Sequence, residues 1–233
     1  MSGKQEDYKG ILAGGFMIKV RAIGITTPLI DEIPDTEGLV SYSARVSNPE
    51  NQGNFDSAGG LLKYCIKHGH YSVFEMSNLV MEIEAPRDIA RQILRHRSFS
   101  FQEFSQRYAK AFKFVKREAR LQDTKNRQNS VETDSDALKL WWDDVQEEIT
   151  GLVQARYDEA LDKGIAKECA RVILPEGNTM SRMYMNGTLR SWIHYIKLRN
   201  DPGVTQKEHV DVALACREEL YKHFPFLEAA DVL

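Results

Sequence analysis

The sequence predicts a single mixed α/β (α+β) domain, a mostly antiparallel sheet packed with several long helices. At 233 residues, the chain has room for one large core, set against a soft prior of roughly 150 residues per domain. Hydrophobic residues make up 42% and charged residues 28% of it, proportions that exclude disordered and fibrous classes. Stretches that alternate with period two are interspersed with stretches of helical period, so strands and helices share one chain.

Residues 1–16 read as a poorly ordered lead-in, which leaves 17–233 as the domain. The first strand is MIKVRAIGI, Met17 to Ile25, on its alternation. A short helix over Gly38 to Val46 carries Ala44-Arg45-Val46-Ser47 and ends at Asn48-Pro49. A second helix, Ala58 to His68, stops at Gly69. Val73 to Ala85 reads as one long strand with a bulge near Asn78. Pro86 ends that strand and suits the first position of the next helix. There Ile89, Ala90, Ile93 and Leu94 form an apolar face, with Arg87, Arg91 and Arg95 opposite. Lys110 to Asp134 is polar and charge-rich and reads as a flexible excursion. A long amphipathic helix, Ser135 to Lys163, is closed by Gly164. A strand at Asn178 to Met185 precedes two helices, Thr188 to Arg199 and Thr205 to His223.

Charge and cysteine usage exclude several function classes. Thirty-one Lys and Arg against 34 Asp and Glu give a formal charge of -3, which argues against a general nucleic-acid binder, so any anion site is local. The apolar run Ile11 to Ile18 is broken by Gly14 and Gly15 and falls far short of the roughly 18 residues of a membrane span. The first residues make a poor signal peptide, and the expected compartment is the cytoplasm. Cys65, Cys169 and Cys216 are widely spaced, without a CxxC pair, so neither structural zinc nor a disulfide framework is expected. All three read as helical and apolar in setting, and none is expected to act as a nucleophile. His68 and His70 lack further ligands nearby, so no metal is expected. Of Trp141 and Trp142, at least one reads as core.

Chemistry concentrates in RHRSFSFQEFSQRY, Arg95 to Tyr108. If the helix begun at Pro86 continued, Arg97 would sit near the middle of the apolar face and need an anion. Alternatively the helix ends near His96, and Phe99 and Phe101 alternating with Ser98 and Ser100 make an extended segment. Either way Arg95, His96, Arg97, Gln102, Glu103, Ser105 and Arg107 are concentrated in one short stretch. A solvated surface loop would show a similar mixture, but the interleaved phenylalanines weaken that reading. A second cluster is LRSWIHYIKLR, where Leu189, Trp192, Ile193 and Ile196 form the core stripe and Arg190, His194 and Lys197 share another face. Arg171 adds a cation beside an apolar run. Several separate arginines fit a ligand with more than one phosphate. No GxGxxG or Walker loop is present. His209 reads as a solvent-facing helix residue with no assigned role. Two further readings stand beside an enzyme with such a ligand: a non-catalytic nucleotide or RNA-binding module using the arginine clusters, and a nucleotide hydrolase with Glu103 as base.

Arg95-His96-Arg97, followed after seven residues by Ser105, is similar to the signature of the flavin-dependent thymidylate synthases. Further stretches resemble family blocks in family order: Ala44–Ser47, Lys67–His70, Ala90–Gln92, Ser105–Tyr108, Arg171–Pro175 and Leu189–Arg199. The resemblance implies reductive methylation of dUMP to dTMP, with methylenetetrahydrofolate as carbon donor and FAD, reduced by NADPH, as hydride source. It implies flavin contacts from Ser47, His70, Ser72, Arg95, His96, Arg97, Glu103, Arg190 and His194. Nucleotide contacts would come from Gln92, Arg95, Glu103, Ser105, Gln106, Arg107, Arg171 and Arg199. Arg107 and Ser105 are the candidate catalytic pair, Arg107 as a donor to charge developing on the uracil carbonyls and Ser105 as a positioning hydroxyl. Gln106 stands where the family often has glycine. His194 stands where the family often has asparagine, and Thr188 takes another asparagine position, with Asn186 two residues earlier; Asn186, Thr188 and His194 are thus three alternatives for a flavin contact. The resemblance also implies a homotetramer with active sites at subunit interfaces, which would spread Arg95, Arg97, Arg107, Arg171, Arg190 and Arg199 over more than one chain.

Overall fold

The computed structural model describes residues 11–13, 16–109, 113–231 and 233. Its centre is a five-stranded antiparallel sheet in the order β1-β2-β3-β7-β4, formed by Ile11–Ala13, Phe16–Ile25, Asn78–Pro86, Met180–Thr188 and Ser100–Glu103. The alternation that predicts these strands also sets the sheet's inner face. Leu79, Met81, Ile83 and Ala85 of β3 are buried beside Met183 and Met185 of β7, while Arg182, Tyr184 and Asn186 face outward. Residues 1–10 of the expected lead-in lie outside the described residues, and Ile11–Ala13 pairs with Phe16–Ile18 as an edge strand.

Eight α-helices among the described residues surround the sheet. They are α1 (Thr36–Ala44), α2 (Ala58–Lys67), α3 (Arg87–Ile93), α4 (Asp136–Asp162), α5 (Lys167–Ala170), α6 (Leu189–Arg199), α7 (Lys207–His223) and α8 (Pro225–Ala229). Of these, α4 and α5 pack against each other in a separate apolar cluster around Tyr157 and Ala170, and the others share the main core. β7 runs directly into α6, because the Thr188 hydroxyl accepts the Ser191 N–H at 3.2 Å and caps the helix. Leu189, Trp192, Ile193 and Ile196 are all buried, as their spacing predicts. Gly69 and Gly164 take left-handed conformations after α2 and α4, where a Cβ would be strained.

Four sequence expectations are corrected. Residues Tyr71–Met76 form a 3₁₀ turn, not the start of a strand; Phe74 is fully buried and stacks 6.1 Å from Phe226, so tertiary burial overrides local alternation. The bulge lies in β2, between Ala22 and Gly24, not at Asn78. The excursion after Lys110 contains a hairpin, β5 (Arg120–Gln122) with β6 (Ser130–Glu132), and is tied down by Arg117 and Arg120. Both guanidiniums meet the Glu208 carboxylate, at 3.2 and 2.7 Å, and Arg117 also meets Asp88 at 3.0 Å. Arg87, expected opposite the apolar face, is buried and pairs with Glu103 at 3.5 Å.

α4 is capped by Ser135, whose hydroxyl accepts the Leu138 N–H at 3.3 Å. It extends about 40 Å at 1.5 Å per residue, yet only Gln146 and Tyr157 on it are buried. Leu140, Trp141, Ile149 and Leu152 are exposed, Leu140 by 65%. The expected core tryptophan is therefore absent: Trp141 is exposed and Trp142 half-buried. No helix among the described residues is long and apolar enough to cross a membrane.

Candidate active site

The turn out of α3 settles the two readings of Arg97. The helix ends at Ile93, the His96 N–H closes a turn on the Ile93 carbonyl at 3.0 Å, and the chain then enters β4. Arg97 is exposed. Phe99 is buried, edge-on to Trp192 at 4.8 Å and near Tyr195 at 5.9 Å. A Cβ at Gly187 would fall 2.4 Å from the Phe99 ring, so the missing side chain of β7 is the seat that anchors this segment to the sheet. Arg95 and Arg97 precede the anchor on the surface and carry no ion pair among the described residues.

The predicted residues gather in three places. His70, Ser72 and Arg190 line a cavity of about 690 Å³ with Tyr64, Tyr71 and Val73. Arg190 and Tyr71 also line an adjoining cavity of about 400 Å³, completed by Ser98, His194 and Lys197 among others. Arg190 is held by Glu75 at 3.0 Å. Of the three alternatives for a flavin contact, Thr188 caps α6 through its hydroxyl, Asn186 pairs through its backbone opposite Val80 and Ser100 with its side chain exposed, and His194 lines the smaller cavity. Ser47 is exposed beyond α1 and is not among the residues lining either cavity.

The second gathering is a crevice between α3, α6 and α7. Arg199 Nε donates to His96 Nε2 at 3.0 Å, and the His96 ring stands edge-on to Tyr195 at 4.9 Å. Burial, then the charges of Arg199, His194 and Arg95, lower the His96 pKa to about 4. The imidazole is therefore neutral near pH 7, and with Nε2 accepting, its proton is on Nδ1. Gln92 and His209 complete this crevice. His209 corrects the sequence reading: it is fully buried, not solvent-facing. It bonds the Tyr195 hydroxyl at 3.1 Å and Gln92 at 3.3 Å.

The third gathering surrounds α5. Arg107 meets the Glu168 carboxylate at 3.6 Å and Arg171 Nε donates to the Glu168 carbonyl at 3.3 Å. The Ser105 hydroxyl accepts the Arg107 backbone N–H at 3.4 Å. Gln106 is buried, and its Nε2 has no hydrogen-bond partner. Glu103 accepts from Ser181 at 2.8 Å and faces Arg87, so its carboxylate is already engaged as an acceptor. Cys65 and Cys216 are buried, and burial raises both thiol pKa values. Cys169 is exposed, against the apolar setting expected for it. Among the described residues, no three His, Cys, Asp or Glu are placed to hold a metal ion.

A family model described as thymidylate synthase complementing protein matches residues 28–226. The chain belongs to the flavin-dependent thymidylate synthase family, and is an enzyme of it. A flavin-dependent thymidylate synthase of Synechocystis sp. is 52% identical over 214 residues, 91% of this chain and 98% of the relative. A probable flavin-dependent thymidylate synthase of Paramecium bursaria Chlorella virus 1 is 50% identical over 214 residues, with the same coverage. The fold matches the crystal structure of a UMP/dUMP methylase, PolB from Streptomyces cacaoi, bound with 5-Br dUMP. The TM-score is 0.75 at 24% identity, covering 91% of this chain and 94% of that one. The sequence did not single out Tyr71, which lines both cavities, or Tyr195 and Gln206, which hydrogen-bond His209 and Gln92. Each resembles core or surface filler, and only the packing of distant segments gives it a role.

Proposed function

We propose that this chain methylates dUMP reductively to dTMP, with methylenetetrahydrofolate as carbon donor and NADPH as reductant of bound FAD. The observation that carries the reading is the pair of neighbouring cavities that share Tyr71 and Arg190 in their linings. Their residues fit a dinucleotide: Arg190 and Lys197 supply charge for phosphates, and Tyr64 and Tyr71 supply aromatic walls. His70, Ser72, Arg190 and His194 would hold FAD there, with Ser47, Arg95, His96, Arg97 and Glu103 completing its contacts. When bound, reduced FAD supplies the hydride that takes the transferred carbon to the methyl level.

The nucleotide would be held by Gln92, Arg95, Glu103, Ser105, Gln106, Arg107, Arg171 and Arg199. Arg107 offers a permanent charge to oxyanion character on the uracil carbonyls. Ser105 positions the nucleotide; its hydroxyl's hydrogen bond is to a backbone N–H, not to a base. Neutral His96 offers an N–H donor from Nδ1 without adding charge.

Residues 17–233 act as one domain, and four copies assemble with sites at their interfaces. Two features support assembly. The apolar face of α4 is exposed, and Arg95 and Arg97 have no counter-charge within the described residues of one chain. The compartment is the cytoplasm, in keeping with three free cysteines. The visible spectrum of the purified protein, followed by anaerobic turnover of dUMP with and without NADPH, tests the reading. Flavin absorbance and NADPH-dependent dTMP are expected. Protein that neither carries nor takes up FAD would instead favour a non-catalytic nucleotide or RNA-binding module.

A further inference from the structure

A line of hydrogen bonds runs through the crevice between α3, α6 and α7, and its direction is set at one end. Glu208 is 1% exposed and pairs with Arg117 and Arg120. Burial alone would raise its pKa, but the two guanidiniums overcome this and lower it. An ionised carboxylate only accepts. Gln206 Nε2 donates to it at 3.0 Å, which leaves Gln206 Oε1 to accept from Gln92 Nε2 at 2.8 Å. Gln92 Oε1 must then face His209 Nδ1, at 3.3 Å, and because that oxygen only accepts, Nδ1 carries the proton. Burial and then the Arg199 charge lower the His209 pKa to about 3, so Nε2 is a lone pair that accepts the Tyr195 hydroxyl at 3.1 Å.

Each group in this line has one permitted orientation. Were the Gln92 amide flipped, its oxygen would face the Gln206 oxygen, and the neutral His209 ring would have to carry its proton on Nε2 to meet the NH₂. A partly buried acceptor pair of that kind is costly. The amide therefore keeps one N–H and one lone pair for whatever enters the crevice.

We infer that His209 is a positioning residue, which holds the Gln92 amide in the orientation set by Gln206 so that its remaining N–H meets an acceptor atom of the pyrimidine nucleotide. This rests on the proposed reading of Gln92 as a nucleotide contact. His209 itself touches neither substrate nor flavin; it acts through the amide. A residue of purely structural importance would lower stability and weaken both ligands, whereas an orienting residue acts on one.

The test uses the FAD-loaded full chain and measures dUMP affinity, FAD affinity and the KM-against-kcat split. His209→Phe removes the Nδ1–H, and the expected result is a rise of about tenfold in KM for dUMP, the worth of one well-placed hydrogen bond. Its kcat and FAD affinity should stay near wild type. His209→Asn keeps a donor near the Nδ1 position and should restore most of the dUMP affinity. Gln206→Met, at a half-buried position beside the helix start, disrupts the same line without opening the core and should reproduce the KM rise even if His209→Phe does not fold. The double variant Gln92→Ala/His209→Phe should bind dUMP no worse than Gln92→Ala alone. Wild-type dUMP affinity in both His209→Phe and Gln206→Met, with Gln92→Ala impaired, overturns the positioning role and leaves the reading of Gln92 intact. Wild-type affinity in Gln92→Ala overturns both.

Discussion

Arg117 and Arg120 lie against α7 with Glu208 between them and little exposure, whereas Arg95 and Arg97 stand on the surface either side of half-buried His96. The first pair has its counter-charges built in, together with Asp88 and the Gly177 carbonyl. The second pair has none in the described chain. The same guanidinium thus serves two ends. Where its partners are folded around it, it pins the β5–β6 hairpin to the core. Where it precedes the anchored segment, its charge is left for anions brought by ligands or neighbouring subunits.

The largest expected effect breaks the buried side of this contrast. Glu208→Ala removes the buried carboxylate shared by two poorly solvated cations, and denaturant unfolding should show a loss of about 3–5 kcal/mol. Arg97→Ala should change stability by no more than about 0.5 kcal/mol, as for other exposed positions. Equal stability in the two variants would erase the distinction. On the exposed side, Arg107→Ala should lower turnover by about 10²–10³-fold, the usual loss for one transition-state donor. Ser105→Ala should lose less, and steady-state kinetics showing the reverse order would exchange their roles.

A smaller effect comes from the two neutral histidines of the crevice. Their folded pKa values, about 4 for His96 and about 3 for His209, lie below the unfolded value of about 6.5. The unfolded chain therefore binds more protons, so their contribution is full above about pH 6.5 and declines as pH falls through about 4 and then 3. Denaturation midpoints between pH 7.5 and 5, compared with those of His209→Asn, measure the part that belongs to His209; an unchanged slope in the variant would refute it. The smallest effect is expected from replacing Cys65, Cys169 and Cys216 together by Ser: a folded triple variant should retain its turnover, and complete loss would reinstate a cysteine nucleophile.

What could be read from the sequence was whatever is repeated locally. The stripe Leu189, Trp192, Ile193 and Ile196, the Ser135 cap and the Gly164 stop of α4 all declare themselves within a few residues. The 3₁₀ turn over Tyr71–Met76 does not, because the burial of Phe74 against Phe226 comes from the far end of the chain. His209 failed for the same reason: its partners Gln92 and Tyr195 lie on two other helices. Arg87 and Glu103 are likewise joined by chain folding alone. The concentration of charged and aromatic residues from Arg95 to Arg107 was legible as composition. Which arginines were paired and which were left open was not, since residue type alone does not say where a counter-charge will be.

The contact between Phe99 and Gly187 makes two distant codons a single heritable unit. A lineage wandering through neighbouring sequences cannot give position 187 any side chain while position 99 keeps its ring, because the two would claim the same volume. Drift at either place is conditional on the other, and the order of steps matters: the ring must shrink before the glycine can be abandoned. Every intermediate on that route loosens the segment that follows Arg97, so a change made for packing is felt beside the exposed cations.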